Sequence, residues 1–127
     1  MKAKIYTTYF TKLKSLPKDI IPISICGKAP NGYKGLEYKK LAPKYDFFMR
    51  WKETHDDDDY IKCYNKQVLS KLDPKQVFVD LIEMTPSCIT FPKIALVCYE
   101  KSDDFCHRHL VAKWLTENGY ECKEWEE

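Results

Sequence analysis

Several features typical of common protein functions are missing from this chain. It has only four glycines among its 127 residues, and no glycine cluster follows a predicted strand, which excludes the dinucleotide-binding and Walker phosphate loops. It has no Cys-x-x-Cys pair, the usual spacing of zinc ligands. No apolar run approaches the roughly 20 residues that a membrane span needs. Nucleotide-loop enzymes, standard zinc modules and membrane-spanning proteins are therefore not expected.

The charge of the chain is nearly balanced. Lysine and arginine total 21 against 19 aspartates and glutamates, a net charge of +2. Such a weak field argues against a dedicated electrostatic clamp for DNA, although a local nucleic-acid contact stays open. The opening residues, MKAKIY, lack the apolar core of a signal peptide, so we expect a soluble cytoplasmic protein with reduced cysteines.

Four segments have the composition of strands. They are rich in β-branched and aromatic residues and comprise Lys4 to Tyr9, Ile23 to Cys26, Ile94 to Cys98 and Tyr120 to Trp125. Pro22 cannot donate to a ladder, so the second strand is expected to begin after it. Residues 28 to 40 show little periodicity and predict a long loop that could cover a site.

Four segments have the apolar spacing of helices. Their predicted starts are Pro43, the acidic run Asp56 to Asp59, Asp73-Pro74, and Asp104 with Ser102 or Asp103 as cap. The acidic run is interpreted as a cap rather than a metal site, and the third helix is expected to end before Pro86. Strands separated by helices predict an α/β sandwich, one domain over residues 1–127, with a mainly parallel sheet of about four strands flanked by helices.

This architecture predicts where a ligand would bind. In open parallel sheets, ligands collect beyond the carboxyl ends of the strands. In this chain those ends lead into the segments Cys26 to Pro30 and Cys98 to Arg108. We therefore expect these two segments, which are remote in sequence, to converge on one site.

The trio Cys106-His107-Arg108, near the first turn of the last helix, offers the most reactive chemistry. A helix start gathers unpaired backbone donors and positive potential, which favour a thiolate or a bound anion. We predict Cys106 as a nucleophile, His107 as its acid/base partner or a ligand contact, and Arg108 as an anion clamp. Glu100, just past a strand end, is the acid best placed for proton transfer.

Purely structural interpretations of the same residues stay open. Cys106 fits a small buried side chain, His107 a core-edge histidine bonded to backbone, and Glu100 a structural ion pair with Arg108. Zinc ligands are also present in Cys98, Cys106, His107 and Cys122, but their spacing is not a standard one and we predict no metal.

The motif also resembles a known family. The residues Val97-Cys98-Tyr99-Glu100-Lys101, a short acidic gap, then Cys106-His107-Arg108 with Trp114-Leu115 resemble the family called domain of unknown function 488. Pro30, Leu41-Ala42-Pro43, and Tyr60 with Tyr64 are similar to one branch of it. The resemblance implies a small cytoplasmic α/β domain with Glu100, Cys106, His107 and Arg108 as its site, and it supplies no established reaction. Many members carry an arginine after the second strand, where this chain has Lys28, which could replace the charge but not the bidentate geometry.

Three functions are compatible with these residues. The first is an enzyme acting on a small phosphorylated or nucleotide-like molecule, held by Arg108 and the helix start. The second is a non-catalytic module for a nucleotide or nucleic-acid end, with Arg108 and Lys28 as contacts and Tyr60 or Tyr64 as a stacking platform. The third makes the trio a packing and capping device while a protein partner binds elsewhere. The sequence leaves the substrate, any cofactor and the oligomeric state open.

Overall fold

A computed structural model describes residues 2–99 and 105–127 of the chain. Within these residues the strands are β1 (Lys4–Tyr9), β2 (Ile20–Ser24), β3 (Leu36–Glu37), β4 (Lys93–Cys98) and β5 (Cys122–Glu124). The helices are α1 (Tyr45–Thr54), α2 (Asp57–Gln67), α3 (Pro74–Glu83) and α4 (His107–Glu117). Short 3-10 helices cover Phe10–Ser15, Lys39–Leu41 and Leu69–Lys71.

The strands form one parallel sheet in the order β3-β2-β4-β1-β5. The predicted α/β fold with a mainly parallel sheet is therefore confirmed, but the strand count of about four is one too low. The missing strand is β3, which lies inside the segment predicted as a loop. With only two residues, β3 has no room for the alternation that would have revealed it.

The second strand includes Pro22, so its predicted bounds of Ile23 to Cys26 are wrong at both ends. Successive residues of β2 direct their backbone groups alternately toward β3 and β4. The Pro22 carbonyl accepts from the Tyr33 hydroxyl at 3.4 Å on the β3 side, and β3 begins only beside Ile23. The Pro22 nitrogen, which carries no hydrogen, thus faces the β3 side of β2 at a position that β3 does not reach. Pro22 therefore costs the sheet no backbone hydrogen bond, and the strand continues through it.

Helix starts agree with the sequence where a local cap sets them. The Asp56 side chain accepts from the Asp59 N–H at 3.1 Å, and Asp73 caps α3 in a similar manner. Two predicted starts are too early, because α1 begins at Tyr45, after Pro43, and α4 begins at His107 rather than near Asp104. The caps predicted at Ser102 or Asp103 lie outside the described residues.

The core lies between one face of the sheet and the helices. Ile5, Ile23, Ile94 and Leu96 point to the same face, as the register requires, and join a single buried cluster with helix residues. Those helix residues include Phe47, Tyr60, Tyr64, Val77, Leu81, Val111 and Leu115. The last strand is shorter than predicted because the Tyr120 N–H closes α4 on the Leu115 carbonyl instead of joining the sheet.

Candidate functional site

Three cysteines meet at the carboxyl edge of the sheet, where ligands of open parallel sheets collect. Cys26 follows β2, Cys98 ends β4, and Cys106 immediately precedes α4. They form one buried cluster, against which Phe10 packs. The predicted convergence of the segments after β2 and β4 is confirmed for these residues.

Two of the three cysteines are bonded to each other. Cys98 and Cys106, eight positions apart in the chain, form a disulfide that joins the end of β4 to the start of α4. The expectation of reduced cysteines is wrong for this pair, because the fold places side by side two thiols that the sequence separates. The other four cysteines, Cys26, Cys63, Cys88 and Cys122, carry thiols. Attack by Cys106 requires the disulfide to be reduced first.

His107 is buried, and both of its ring nitrogens are oriented. Its Nε2 lies 2.7 Å from the Ile25 carbonyl oxygen, which can only accept, so we assign the ring proton to Nε2. Nδ1 then carries a lone pair, and it lies 3.7 Å from Cys106 Sγ. Burial lowers the pKa of His107 to about 4, against the opposing effect of the Ile25 hydrogen bond, so the imidazole is neutral at pH 7. A neutral Nδ1 can accept the proton of a Cys106 thiol.

Arg108 is fully buried and faces the interior of the fold. Its Nε and Nη2 donate to the two carboxylate oxygens of Glu124 at 3.0 and 2.9 Å. Its Nη1 donates to Cys98 Sγ at 3.1 Å, and its guanidinium carbon lies 5.4 Å from the centre of the Tyr9 ring. This placement argues against the predicted anion clamp. It puts a cation beside Cys98, where it favours the thiolate once the disulfide is open.

Glu124 is the site residue that sequence reasoning missed. It is held from two sides, by Arg108 and by the Thr7 hydroxyl, which donates to Oε1 at 2.6 Å. The parallel register of β1 and β5 pairs Thr7 with Glu124. The signal that the sequence offered was the alternation that puts Glu124 on the same face as Cys122. Glu100, the acid predicted for proton transfer, lies outside the described residues.

The two tyrosines proposed as a stacking platform are both buried. The Tyr64 hydroxyl donates to the Leu41 carbonyl, and its ring centre lies 5.6 Å from that of His107. Tyr60 packs edge-on against Phe105 at 4.9 Å. The Tyr64 ring therefore supports the imidazole, and neither tyrosine offers an open face for a base.

Lys28 is exposed, in contrast to Arg108, Tyr60 and Tyr64. Its backbone carbonyl accepts from the Tyr99 hydroxyl at 2.7 Å, and the Tyr99 ring packs edge-on against Phe10 at 5.1 Å. Because Phe10 also packs against the cysteine cluster, this contact ties the Lys28 backbone to the rim of the site.

One group of side chains in the site has the composition of a metal centre. One ligand atom from each of Cys98, Cys106 and His107 lies within 4.8 Å of the other two, and all three residues are buried. Cys122, the fourth zinc ligand considered from the sequence, does not belong to this group, and burial raises the pKa of its thiol to about 12.

Comparison with known proteins gives one match. A family model described as "Active DUF488-N3 subclade" matches residues 6–119, which include every described member of the site except Glu124. No curated protein and no solved structure matches the chain. Among the described residues, none of the helices has the length and apolar character needed to cross a bilayer. The match spans most of the chain, so the protein belongs to the DUF488 family.

Proposed function

We propose that the protein is an enzyme that uses the Cys106 thiol, in the reduced chain, to act on a small phosphorylated or nucleotide-like molecule. The observation that carries the proposal is the 3.7 Å approach of His107 Nδ1 to Cys106 Sγ, with the imidazole fixed by the Ile25 carbonyl. A thiol paired with an oriented histidine is the usual arrangement of an activated cysteine nucleophile.

The position of Cys106 in the fold supports the same role. Cys106 is the N-cap residue of α4, so the positive end of an eleven-residue helix lies beside its sulfur and favours the thiolate. Its exposed fraction is 6%, against 1% for Cys98. Cys106 is therefore the better nucleophile, and Cys98 is the partner that closes the disulfide.

The chemical step follows from these contacts. His107 Nδ1 takes the proton of the Cys106 thiol, and the sulfur forms a bond to an electrophilic carbon or phosphorus of the substrate. The bond from that atom to its leaving group breaks, and the protonated imidazole returns the proton to the leaving group. Water then attacks the thioester-like or thiophosphoryl intermediate while Nδ1 accepts one of its protons. The bond from the substrate atom to sulfur breaks, and the imidazolium gives its proton to the sulfur, which restores the thiol.

An anionic substrate class fits two features around the cysteine cluster. The start of α4 presents backbone N–H groups that suit a phosphate or carboxylate. Lys28 is exposed, and its backbone is tied to the rim of the same cysteine cluster through Tyr99. Arg108 has a different part in this scheme, since its bonds to Glu124 and Cys98 hold the second cysteine in place.

The alternative of a non-catalytic nucleotide or nucleic-acid module has less support. That function needs a solvent-facing arginine and an exposed ring. Arg108 is buried against Glu124, and Tyr60 and Tyr64 are buried in the aromatic core. Of the contacts predicted for such a module, Lys28 is the exposed one.

The proposal is tested by turnover in the reduced protein. The chain is treated with a water-soluble phosphine and incubated with a panel of nucleotides, nucleosides and sugar phosphates, with products followed by mass spectrometry. We expect turnover in the reduced form, loss of turnover in Cys106→Ser, and a fall of about 100-fold or more in His107→Gln. Cys88→Ser, a change at an exposed thiol, is the matched control and should be unaffected. Undiminished turnover in Cys106→Ser contradicts the proposal.

A further inference from the structure

We propose that Cys98, Cys106 and His107 form, in the reduced chain, a binding site for a thiolate-preferring divalent ion of the Zn²⁺ class. The inference rests on the same trio as the proposed function and deepens it, because a bound ion would occupy the nucleophile and so control its use. It departs from the sequence-based expectation of no metal, which relied on the residue spacing and on the unusual geometry expected for neighbouring ligands.

The separation of Cys106 Sγ from His107 Nδ1 suits a tetrahedral ion. The three ligand atoms lie within 4.8 Å of one another in a buried location. Zinc bonds of about 2.3 Å to sulfur and about 2.0 Å to nitrogen place those two ligand atoms about 3.5 Å apart in tetrahedral geometry. The observed separation of Cys106 Sγ and His107 Nδ1 is 3.7 Å. These neighbouring residues in the chain can therefore bind one ion, because Cys106 is extended at the N-cap while His107 begins the helix.

The groups around the trio are those that orient metal ligands. A metal-bound histidine typically donates its second ring N–H to a carboxylate or backbone carbonyl. His107 Nε2 does so to Ile25 at 2.7 Å, which leaves Nδ1 aimed at the sulfur. Cys98 Sγ also receives a hydrogen bond from Arg108 Nη1 at 3.1 Å. Two of the three proposed ligand residues, His107 and Cys98, thus form a hydrogen bond to a residue outside the trio. A cysteine that only packs in the core does not need such a bond.

The disulfide and the ion exclude each other. In the oxidised chain the two sulfurs are bonded together. A phosphine reductant with one water breaks that bond, and yields two thiols and the phosphine oxide. Binding of a divalent ion then displaces the two thiol protons to the buffer, while His107 keeps the proton on Nε2. Three protein ligands leave one tetrahedral position open, which is the pattern of reactive rather than closed structural zinc sites.

Cobalt(II) is the probe for this site, because tetrahedral thiolate ligation gives it an intense charge-transfer absorption. The full chain, reduced with phosphine, is titrated with Co²⁺ and then with Zn²⁺. We expect one Co²⁺ per chain with a thiolate band, displacement by Zn²⁺, and no band in the disulfide form. Cys98→Ser and Cys106→Ser should lose the band, and His107→Gln should weaken binding at least about 10-fold. Cys63→Ser and Cys88→Ser are the matched controls and should keep it.

The comparison of oxidised and reduced wild-type protein keeps the test decisive even where a variant fails to fold. Absence of a thiolate band in the reduced wild type, or an unchanged band in folded Cys106→Ser, overturns the site. Turnover of the substrate panel is measured separately on the metal-free reduced chain. A thiolate band without turnover supports the metal site and contradicts the proposed enzymatic function. Turnover without a thiolate band supports the enzymatic function and contradicts the metal site.

Discussion

The pairing of Arg108 with Glu124 should be costly to remove from this fold. Glu124→Gln keeps the shape of the side chain but removes its charge and replaces one acceptor oxygen by an N–H donor. The guanidinium donates to both carboxylate oxygens, at 3.0 and 2.9 Å, and the Thr7 hydroxyl donates to one of them at 2.6 Å. The substitution places donor against donor at one of these contacts.

The magnitude follows from burial. The Arg108 side chain is 0% exposed and that of Glu124 is 20% exposed. A hydrogen bond to a charged group contributes about 1.5 to 3 kcal/mol, and breaking a buried ion pair costs about 3 to 5 kcal/mol. Because Glu124 is partly open to water, we expect the lower value, a loss of about 3 kcal/mol in the free energy of unfolding. In a chain of this size that lowers the Tm by about 10 °C.

Glu127→Gln is the matched control, because it makes the same chemical change in an ion pair that is open to solvent. Glu127 Oε1 lies 3.1 Å from Lys12 Nζ, and the two side chains are 60% and 37% exposed. Water screens exposed pairs of this kind, and holding two long side chains together costs entropy. The stability of Glu127→Gln should therefore be close to that of the wild type.

Urea unfolding of the oxidised protein, followed by far-UV circular dichroism, measures both variants against the wild type. The midpoint should fall for Glu124→Gln with little change in slope, because the surface exposed on unfolding is the same. A loss below about 1 kcal/mol, or one equal to that of Glu127→Gln, would refute the idea that this pair supports the site.

Two further perturbations test the fold away from the cysteines. Tyr38→Phe removes the hydroxyl that donates to Asp80 at 2.6 Å and holds the pKa of that carboxyl below its usual 3.8. We expect a loss of about 1 kcal/mol at pH 7. The difference in the free energy of unfolding between Tyr38→Phe and the wild type should narrow as the pH falls below 3.8. The hydrogen-bonded Asp80 carboxylate stabilises the fold above that pH, and this stabilisation is lost when the carboxylate is protonated. An equal gap at neutral and at strongly acidic pH in urea unfolding contradicts this. Gly119→Ala should lower stability by about 1 to 2 kcal/mol because φ is +92° there, although the space around it is open. Gly27→Ala, in equally open space without a positive φ, is its control in thermal unfolding, and equal losses at the two glycines would contradict the backbone explanation.

Local signals in the sequence predicted most of the fold. The caps at Asp56 and Asp73 depend on residues a few positions apart, so the sequence displays them directly. The strand β3 depends on distant residues. It exists because the backbone of β2 offers bonding groups on its outer side, such as the Ser24 carbonyl that accepts from the Tyr38 N–H at 2.8 Å.

The same distinction explains the site. The motif placed Cys106, His107 and Arg108 at a helix start, which is where the structure has them. It could not supply their partners, because those come from other strands. Glu124 reaches Arg108 only through the pairing of β5 with β1, and the Ile25 carbonyl reaches His107 from the end of β2.

The two edges of the sheet have a consequence for how copies of this protein meet one another. The outermost strands, β3 and β5, have two and three residues, which is too little backbone for a second chain to pair with. On the β3 side, the part of β2 before Ile23 has no neighbouring strand, and Pro22 in that part has no backbone N–H to donate to a second chain. Because open strand edges are the usual templates for intermolecular pairing, these truncated borders should protect the protein from edge-to-edge aggregation.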